Sequence, residues 1–327
     1  MTPTLQVDGL SCTIPSARGE LRTVRDVSLV LEPGQILGLV GESGCGKSTF
    51  AKAISGSLPR EVHCEGRIRF RGTDLDSLTP RRRRQLRGRH IGVVFQDPMM
   101  ALNPVVPIGR QIVEVIRHHL PLSRNAATER AIELLTQVGV ADARTRLKLY
   151  PHQFSGGLRQ RITIAAALAC DPELLIADEA TTALDVTVQR QILELLTELV
   201  RARGMAMILV SHDLGVVARH THDTAVMYAG EIIEQAPTTQ LFARPRHRYT
   251  EALLESIPRV DRGSTGRLHV IEGAPPDPAR LPPGCAFAPR CPAARPDCGQ
   301  AVPPMAHPIT RRHRCVHPAS AAAKESR

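Results

Sequence analysis

The sequence predicts an α/β fold in which a phosphate-binding loop joins a buried strand to a helix, with a small extension behind it. Three observations lead to this prediction. An apolar run at 35–40 precedes a match to the pattern G-x-x-x-x-G-K-[ST] at 41–48, and a helical pattern follows. Further apolar runs alternate with amphipathic segments, as in parallel sheets covered by helices. The last 92 residues contain 15 of the 26 prolines.

The composition changes near residue 235, which predicts a main domain at 1–235 and an extension at 236–327. Of the net charge of +10, the extension carries +7, because it has 14 Lys and Arg against 7 Asp and Glu. A basic tail can bind nucleic acid or anionic lipid headgroups. The charges are not interleaved with aromatic residues for base stacking, which favours a solvated, arginine-rich surface.

The sequence shows neither a membrane span nor a signal peptide. The longest apolar run, 162–170, is much shorter than the roughly 20 residues that a span needs. The N-terminal residues lack a basic and then apolar profile. We therefore expect a cytosolic location, where structural disulfides among the 8 cysteines are not expected.

Residues 4–34 are predicted to form antiparallel strands, because apolar and polar residues partly alternate and a Pro-Gly pair marks a turn. The first aromatic residue of the chain is Phe50. No ring from these strands is therefore available to stack on a nucleotide base. Aliphatic residues such as Ile14, or other parts of the chain, must make that contact.

The loop after the third predicted strand has the chemistry of a phosphate site. Glycines let backbone N–H groups surround an anion, and the positive end of the following helix faces the same phosphates. Lys47 is predicted to reach the β and γ phosphates, and Ser48 to ligate Mg²⁺. The residues predicted to hold the nucleotide here are Gly41, Ser43, Gly44, Cys45, Gly46, Lys47, Ser48 and Thr49. The motif indicates NTP binding.

Two more strands are predicted at 66–70 and 91–95, and the second ends at Gln96. The arginine-rich run between them, 81–89, is interpreted as a solvated helical face in preference to a nucleic-acid patch.

Apolar residues then recur at helical spacing over 108–120 and 125–138, with Ser123 as a start signal and Gly139 as a stop signal for the second helix. These helices interrupt the strand–helix alternation. They predict an inserted helical subdomain at about 98–165.

A second anion-binding surface is indicated by Ser155, Gly156 and Gly157, which precede an apolar helix. Bare N–H groups and the helix dipole favour negative charge at such a position. A serine that only caps a helix behind a glycine turn fits these residues equally well.

Polar residues stand at the ends of the next two predicted strands. Asp178 and Glu179 follow the apolar run 174–177, so one carboxylate is placed to hold Mg²⁺ and the other to polarise an attacking water. His212 follows a strand at 205–210, where α/β sheets bind ligands, and is placed to contact the γ-phosphate. A hairpin is predicted at 225–235.

In this order, the motifs resemble those of the ATP-binding subunit of an ABC transporter. The segments that carry the resemblance are 41–49, Gln96, 155–160, 178–179, 183–185 and His212. The resemblance implies an ABC-type P-loop ATPase with a RecA-like core. It also implies an N-terminal antiparallel β subdomain and an inserted α-helical subdomain.

The resemblance assigns a role to each matching residue. Lys47 and Ser48 would contact the phosphates and Mg²⁺, and Gln96 would sense the metal and the water. Asp178 would assist Mg²⁺ binding, and Glu179 would be the general base. The chain departs from the family pattern in the missing base-stacking aromatic.

The resemblance assigns further residues to γ-phosphate contact and to the interface between two subunits. His212 would be the switch histidine, and Asp185 would lie at the interface. Ser155 and Gly157 would complete the ATP site of a partner subunit across a dimer. Ala180 stands where proline usually follows the Asp-Glu pair, a change that we expect to be tolerated.

A narrower resemblance, to the oligopeptide/dipeptide importer branch, rests on 95–104, 181–187 and 245–254. It implies a second ATPase subunit, identical or related, two transmembrane permease subunits, and an extracytoplasmic protein that delivers the peptide. The subunit would lie at the cytoplasmic face of the membrane. Import of nickel or another small solute, a soluble ABC ATPase of translation or DNA repair, and a binding-only subunit are the alternatives.

The extension contains four cysteines whose surroundings at 281–292 resemble the C-terminal region of that branch: Cys285, Cys291, Cys298 and Cys315. The resemblance implies a [4Fe–4S] cluster. Zinc is an alternative, although the usual C-x₂₋₄-C pairs are absent, and unligated cysteines are another.

The remaining cysteines are interpreted without a metal. Cys12, Cys64 and Cys170 are expected to be filler without a chemical role. Cys45 lies near Lys47 and a helix N-terminus, which suggests a lowered thiol pKa and sensitivity to oxidation.

Overall fold

The computed structural model describes residues 2–16, 19–181, 185–257, 270–300, 305 and 311–319. Its strands are β1 Leu5–Ser16, β2 Gly19–Leu31, β3 Ile36–Val40, β4 His63–Phe70, β5 Thr73–Asp74, β6 Ile91–Val94, β7 Leu174–Asp178, β8 Ala206–Val210, β9 Asp223–Tyr228, β10 Glu231–Pro237 and β11 Arg312–His313.

Its helices are α1 Lys47–Ser55, α2 Pro80–Leu86, α3 Pro98–Ala101, α4 Ile108–His119, α5 Arg124–Gln137, α6 Ala143–Arg146, α7 Gly156–Ala167, α8 Val186–Ala202, α9 Leu214–His220, α10 Thr238–Ala243 and α11 Arg248–Glu255. Within the ranges given above, no helix is both long and apolar enough to cross a bilayer.

The N-terminal strands form an antiparallel sheet in the order β2-β1-β4-β5. Every second or third residue of β1 is buried, including Leu5, Val7 and Leu10, because one face of the sheet packs on the core. The predicted antiparallel β subdomain is therefore confirmed.

The same sheet contains a disulfide between Cys12 and Cys64, which corrects the expectation of filler cysteines without structural disulfides. The antiparallel register places the two residues opposite each other on β1 and β4, with their Cα atoms 4.2 Å apart. The expectation rested on the redox compartment, which gives no information about the cross-strand register.

The main sheet has seven strands in the order β11-β10-β9-β3-β8-β7-β6. The five strands from β9 to β6 are parallel, and β10 and β11 add to the β9 edge antiparallel. All residues of β3, β7 and β8 are buried, since helices or the first sheet cover both faces. Their continuous apolar sequences follow from this burial. β10 crosses the predicted boundary near residue 235.

A group of helices, α3 to α7, lies between β6 and β7 in the chain. Ile112 and Ile116 of α4 pack in one apolar cluster with Ala131 and Leu135 of α5. The predicted cap is confirmed, since the Ser123 hydroxyl accepts a hydrogen bond from the backbone of the first turn of α5. The arginine-rich α2 buries none of its residues, as expected of a solvated helical face.

The C-terminal segment, defined here as 270–319, packs on this core through a small aromatic cluster. Phe287 is 1% exposed and contacts the rings of Tyr228 and Tyr249. Strand β11 returns from this segment to pair with β10. Arg312 of β11 is 2% exposed and donates to the Ser28 carbonyl of the antiparallel sheet.

Candidate functional site

The predicted site residues follow four neighbouring parallel strands, at the edge where the strands end. In the register, Asp178 of β7 lies beside Val210 of β8, and Leu39 of β3 lies on the other side of Val210. The residues just after these positions therefore meet at one edge, where α/β sheets bind ligands. Gln96 enters the same edge from β6, the neighbour of β7.

The phosphate loop joins β3 to α1, and two of its glycines have no room for a side chain. At Gly41, with φ 154°, an added Cβ would lie 2.1 Å from the Met227 carbonyl oxygen; at Gly46, with φ 105°, it would lie 2.1 Å from the Thr23 carbonyl oxygen. The loop is therefore pressed against both sheets while its N–H groups at the start of α1 stay available for an anion.

Lys47 is 4% exposed, and its ammonium donates to the carbonyl oxygens of Gly41 at 2.8 Å and Glu42 at 2.9 Å. These bonds hold a buried positive charge inside the curve of the loop. Such a charge is matched to the β and γ phosphates of a nucleotide.

Ser48 and Asp178 meet beside the loop, where the serine hydroxyl donates to a carboxylate oxygen at 3.1 Å. Burial raises the pKa of Asp178, while the Ser48 hydrogen bond and nearby lysines oppose this shift. A carboxylate kept from water in this way is stabilised by a divalent cation. A hydroxyl and a carboxylate are oxygen ligands of the kind that Mg²⁺ binds.

Glu179 lies at the centre of a group of three polar side chains. The Gln96 amide donates to its carboxylate at 3.0 Å, and His212 Nδ1 lies 3.8 Å from the same oxygen. Its backbone has φ 48°, which is unusual for a residue other than glycine, and its N–H donates to the Val210 carbonyl. The arrangement can hold and polarise a water beside the γ-phosphate of a bound nucleotide.

The Ser155 segment lies in the helical group. Ser155 is exposed and caps α7 through the Leu158 N–H, and Gly157 faces Val188 of α8, where a Cβ would lie 2.8 Å from a methyl carbon. Among the described residues, no hydrogen bond or ion pair joins Ser155 to the phosphate loop. Asp185 caps α8, and Ala183 and Leu184 lie outside the described residues.

The predicted lowering of the Cys45 thiol pKa is wrong. Cys45 is 7% exposed, and burial raises the pKa of its thiol more than the nearby Lys47 lowers it. Sequence proximity to a lysine and a helix N-terminus did not reveal that the side chain turns into the core.

The four cysteines of the C-terminal segment are free thiols: Cys285, Cys291, Cys298 and Cys315. Burial raises the pKa of Cys285, Cys291 and Cys315, and the charge of a neighbouring cysteine adds to each shift. The Cys285 N–H donates to the Cys298 carbonyl at 2.8 Å. In addition, ligand atoms of Asp297, Cys298 and His317 lie within 4.8 Å of one another.

Two family models match the chain. The ABC transporter model matches residues 24–182, and the model of the oligopeptide/dipeptide transporter C-terminal region matches residues 233–298. A Brucella melitensis protein named for peptide import and ATP binding is 47% identical over 330 aligned residues, which span 96% of this chain and 97% of that protein. The chain belongs to the ATP-binding subunits of the oligopeptide/dipeptide ABC importers.

Other relatives support the same family and fold. The dipeptide transport ATP-binding protein DppD of Bacillus subtilis is 46% identical, with 93% of this chain and 91% of that protein covered. The dimeric structure of the bacterial ABC transporter cassette MJ0796 aligns with a TM-score of 0.64 at 26% identity, covering 72% of this chain and 98% of the cassette. The structure of cbiO1 from Clostridium perfringens aligns with a TM-score of 0.62 at 26% identity, covering 74% of this chain and 92% of cbiO1. The predicted ABC ATPase fold is confirmed.

The sequence analysis of the importer subunit missed one set of contacts at the phosphate loop. The Glu42 carboxylate pairs with Arg290, and the Glu42 N–H donates to the Tyr249 hydroxyl at 3.0 Å. The two charged residues are 248 positions apart, so no local pattern could have revealed the pair.

Proposed function

We propose that this subunit binds MgATP at the described edge of the sheet and hydrolyses it through a water activated by Glu179, to drive peptide import. The observation that carries the proposal is the convergence of Gln96 and His212 on the Glu179 carboxylate, beside the Ser48–Asp178 pair. Activity of the ABC ATPase type follows from the family. The roles of the individual residues are the proposal.

Each of these side chains has a separate task. Lys47 and the N–H groups of the loop bind the phosphates, while Ser48 and Asp178 hold Mg²⁺, which neutralises phosphate charge. Glu179 accepts a proton from the attacking water. Gln96 and His212 orient that water and the γ-phosphate.

The ATP site is completed by a second ATPase subunit. Ser155, Gly156 and Gly157 begin a helix with an exposed N-terminus, a position that favours a phosphate of a nucleotide bound elsewhere. In the proposed dimer, these residues contact the ATP that lies on the phosphate loop of the partner. The partner is a related subunit in the assembly that we favour, and a second copy of this chain is the alternative.

The substrate is a short peptide, since the relatives are named for peptide or dipeptide transport. Two permease subunits form the pathway, and this chain binds them at the cytoplasmic face of the membrane without spanning it. An extracytoplasmic protein delivers the peptide. The ATPase domain comprises residues 1–235, and the extension begins at 236.

The hydrolytic role of Glu179 is tested with Glu179→Gln. The amide keeps the size of the side chain but cannot accept the proton, so ATP hydrolysis by the purified transporter should fall by at least about 100-fold. ATP binding should persist. Glu173→Gln is the matched control, because Glu173 lies just before β7, at the opposite end of the same strand, and pairs with Arg71. Normal hydrolysis by Glu179→Gln would remove the assignment.

We also propose that the four thiols of the C-terminal segment hold a [4Fe–4S] cluster. Four free cysteines in one short part of the chain are donors of the type that such a cluster binds. Bound there, the cluster supplies covalent links between parts of a segment with little apolar core. The alternative is zinc, for which Asp297, Cys298 and His317 offer a donor set that shares Cys298 with the four thiols.

The metal is identified by measuring iron, sulfide and zinc in anaerobically purified protein. About four irons and four sulfides per chain, lost in Cys291→Ser and kept in Cys170→Ser, would support the cluster. Cys170 is a buried free thiol of the ATPase core and serves as the control. Zinc that is lost in His317→Ala would replace the cluster in the assignment.

A further inference from the structure

Arg290 of the C-terminal segment reaches the phosphate loop. Its guanidinium donates to both carboxylate oxygens of Glu42, from Nη1 at 2.7 Å and from Nη2 at 3.0 Å. The side chains are 7% and 22% exposed, respectively. A bidentate pair shielded from water fixes the relative position of its partners better than a single ionic contact does.

Arg290 also holds two other parts of the chain. Nε donates to the Glu272 carbonyl at 3.0 Å, Nη2 to the Ile271 carbonyl at 3.4 Å, and Nη1 to the Tyr228 hydroxyl at 3.2 Å. With the two bonds to Glu42, these contacts use all five N–H donors of the guanidinium. One side chain therefore joins the phosphate loop, β9 and the start of the C-terminal segment.

Glu42 links the hydrogen bonds of Arg290 to Lys47 in the phosphate loop. Its carbonyl oxygen accepts from the Lys47 ammonium at 2.9 Å, and its N–H donates to the Tyr249 hydroxyl at 3.0 Å. The residue is thus held at its side chain and at both backbone groups. A shift of Glu42 would move the carbonyl that positions Lys47.

The C-terminal segment also supplies one wall of a cavity at the loop. This cavity, of about 160 Å³, is lined by Ser43 and Gly44 on one side and by Pro275, Pro276 and Pro278 on another. Pro275, the first of these prolines, comes three residues after Glu272, whose carbonyl accepts from Arg290. Arg290 therefore sets the position of this wall as well as that of the loop.

We propose that Arg290 is a positioning residue of the ATP site, which holds Glu42 and the proline wall in the geometry that binds nucleotide. In this account the C-terminal segment takes part in nucleotide binding and is more than an attachment to the ATPase domain. The proposal rests on the proposed ATP site, and its test separates the two.

The test measures the dissociation constant of MgADP by calorimetry on the purified full chain. Arg290→Ala should raise this constant about tenfold or more, because small displacements of binding groups are costly. Arg290→Lys keeps the charge but cannot form the bidentate pair or reach both carbonyls, and should give a smaller increase. Melting curves of both variants establish that they are folded, and Arg290→Lys alone decides the outcome if Arg290→Ala does not fold.

Arg248→Ala is the matched control. Arg248 also anchors the C-terminal segment, through the His317 carbonyl at 3.3 Å, but its hydrogen bonds go to that carbonyl and to Glu251 of its own helix. A dissociation constant within twofold of wild type is expected for this variant. If Arg248→Ala weakens binding as much as Arg290→Ala, the effect is general loosening of the segment and the proposal fails.

Two further variants complete the test. Glu42→Gln should weaken binding, and adding Arg290→Ala to it should have little extra effect, since both changes break one pair.

Lys47→Ala tests whether MgADP binds at the phosphate loop at all. If it leaves binding unchanged, the ATP site is wrongly assigned. If it abolishes binding while Arg290→Ala and Arg290→Lys stay within twofold of wild type, only the positioning role of Arg290 is refuted.

Discussion

The ATP-site edge and the C-terminal segment are stabilised by different means. At the ATP-site edge, catalytic side chains follow strands whose residues are all buried and hydrogen-bonded in a parallel sheet. Among the described residues of the C-terminal segment, the two-residue β11 is the only strand, and Pro275 and Pro278 are exposed. Long side chains such as Arg290 and Arg312 link this segment to the core.

The difference shows what fixes the positions of side chains in each region. A buried sheet positions the residues that follow its strands through many cooperative packing contacts. A segment with little apolar core depends on a few polar links and, in our proposal, on a metal group. Substitutions in the two regions should therefore differ in how much they lower stability and in how many other residues they affect.

The largest effect is expected from a cavity in the sheet. Ile176 is fully buried in β7, so Ile176→Ala should lower the free energy of unfolding by about 2–5 kcal/mol. Denaturant titration measures this loss. Val105→Ala is the control, because Val105 is 77% exposed and its loss should cost no more than about 0.5 kcal/mol. Equal effects would show that burial in the sheet does not determine the size of the loss.

The next effect tests the cross-strand link in the antiparallel sheet. The Cys12–Cys64 bond closes a loop with a sequence separation of 52. Its reduction should lower the free energy of unfolding by about 2–4 kcal/mol. The loss appears as a lower denaturant midpoint when dithiothreitol is added. The Cys12→Ala variant should show no such response, and an equal response in both proteins would mean that the bond does not form.

A smaller, pH-dependent effect is expected at the junction of the two regions. His247 is 1% exposed, and burial together with the nearby His313 lowers its pKa to about 3. Between pH 6.5 and 3, the unfolded chain therefore binds a proton that the folded chain does not, so stability falls as the pH falls. At pH 5 the loss from this group is about 2 kcal/mol.

His247→Asn tests this effect. Asparagine can still cap α11 by accepting from the Tyr249 N–H, as His247 Nδ1 does, but it does not titrate. Urea unfolding at pH 7 and pH 5 should show a loss about 2 kcal/mol smaller in the variant than in wild type. His152→Asn, at an exposed position, should behave as wild type. Identical losses in wild type and His247→Asn would exclude a contribution from His247.

The smallest effect on the sheet is expected from removing the metal group that we propose for the C-terminal segment. Chelation, or Cys291→Ser, should increase hydrogen exchange at residues 285–299. Exchange in β3 and β7 should stay at its original rate, and the free energy of unfolding of the sheet should change by less than about 1 kcal/mol, because local openings are independent of global unfolding. Increased exchange throughout the sheet would show that the two regions are not separable.

The sequence predicted the elements whose signals are local. Gln96, Asp178, Glu179 and His212 each follow an apolar strand, and parallel strands bring such positions to one edge. The pairing of Arg290 with Glu42 could not be predicted, because it depends on how the C-terminal segment folds back over 248 positions.

The predictions for Cys12, Cys64 and Cys45 failed for a related reason. The bond between Cys12 and Cys64 depends on the register of two strands, and the high pKa of the Cys45 thiol depends on burial. Neither quantity is encoded in neighbouring residues. The chemistry of a motif can be predicted from its residues, whereas its solvation requires the packed structure.

The central claim is that ATP binds between the phosphate loop of one ATPase subunit and the Ser155 segment of the other. The most direct test is photolabelling of the purified transporter with azido-ATP, with the two ATPase subunits resolved by a tag. In our account, Lys47→Ala in this chain removes the label from this chain. Ser155→Arg in this chain instead lowers the label on the partner about tenfold and leaves its own label intact. A loss of label only on the chain that carries Ser155→Arg would contradict the shared site.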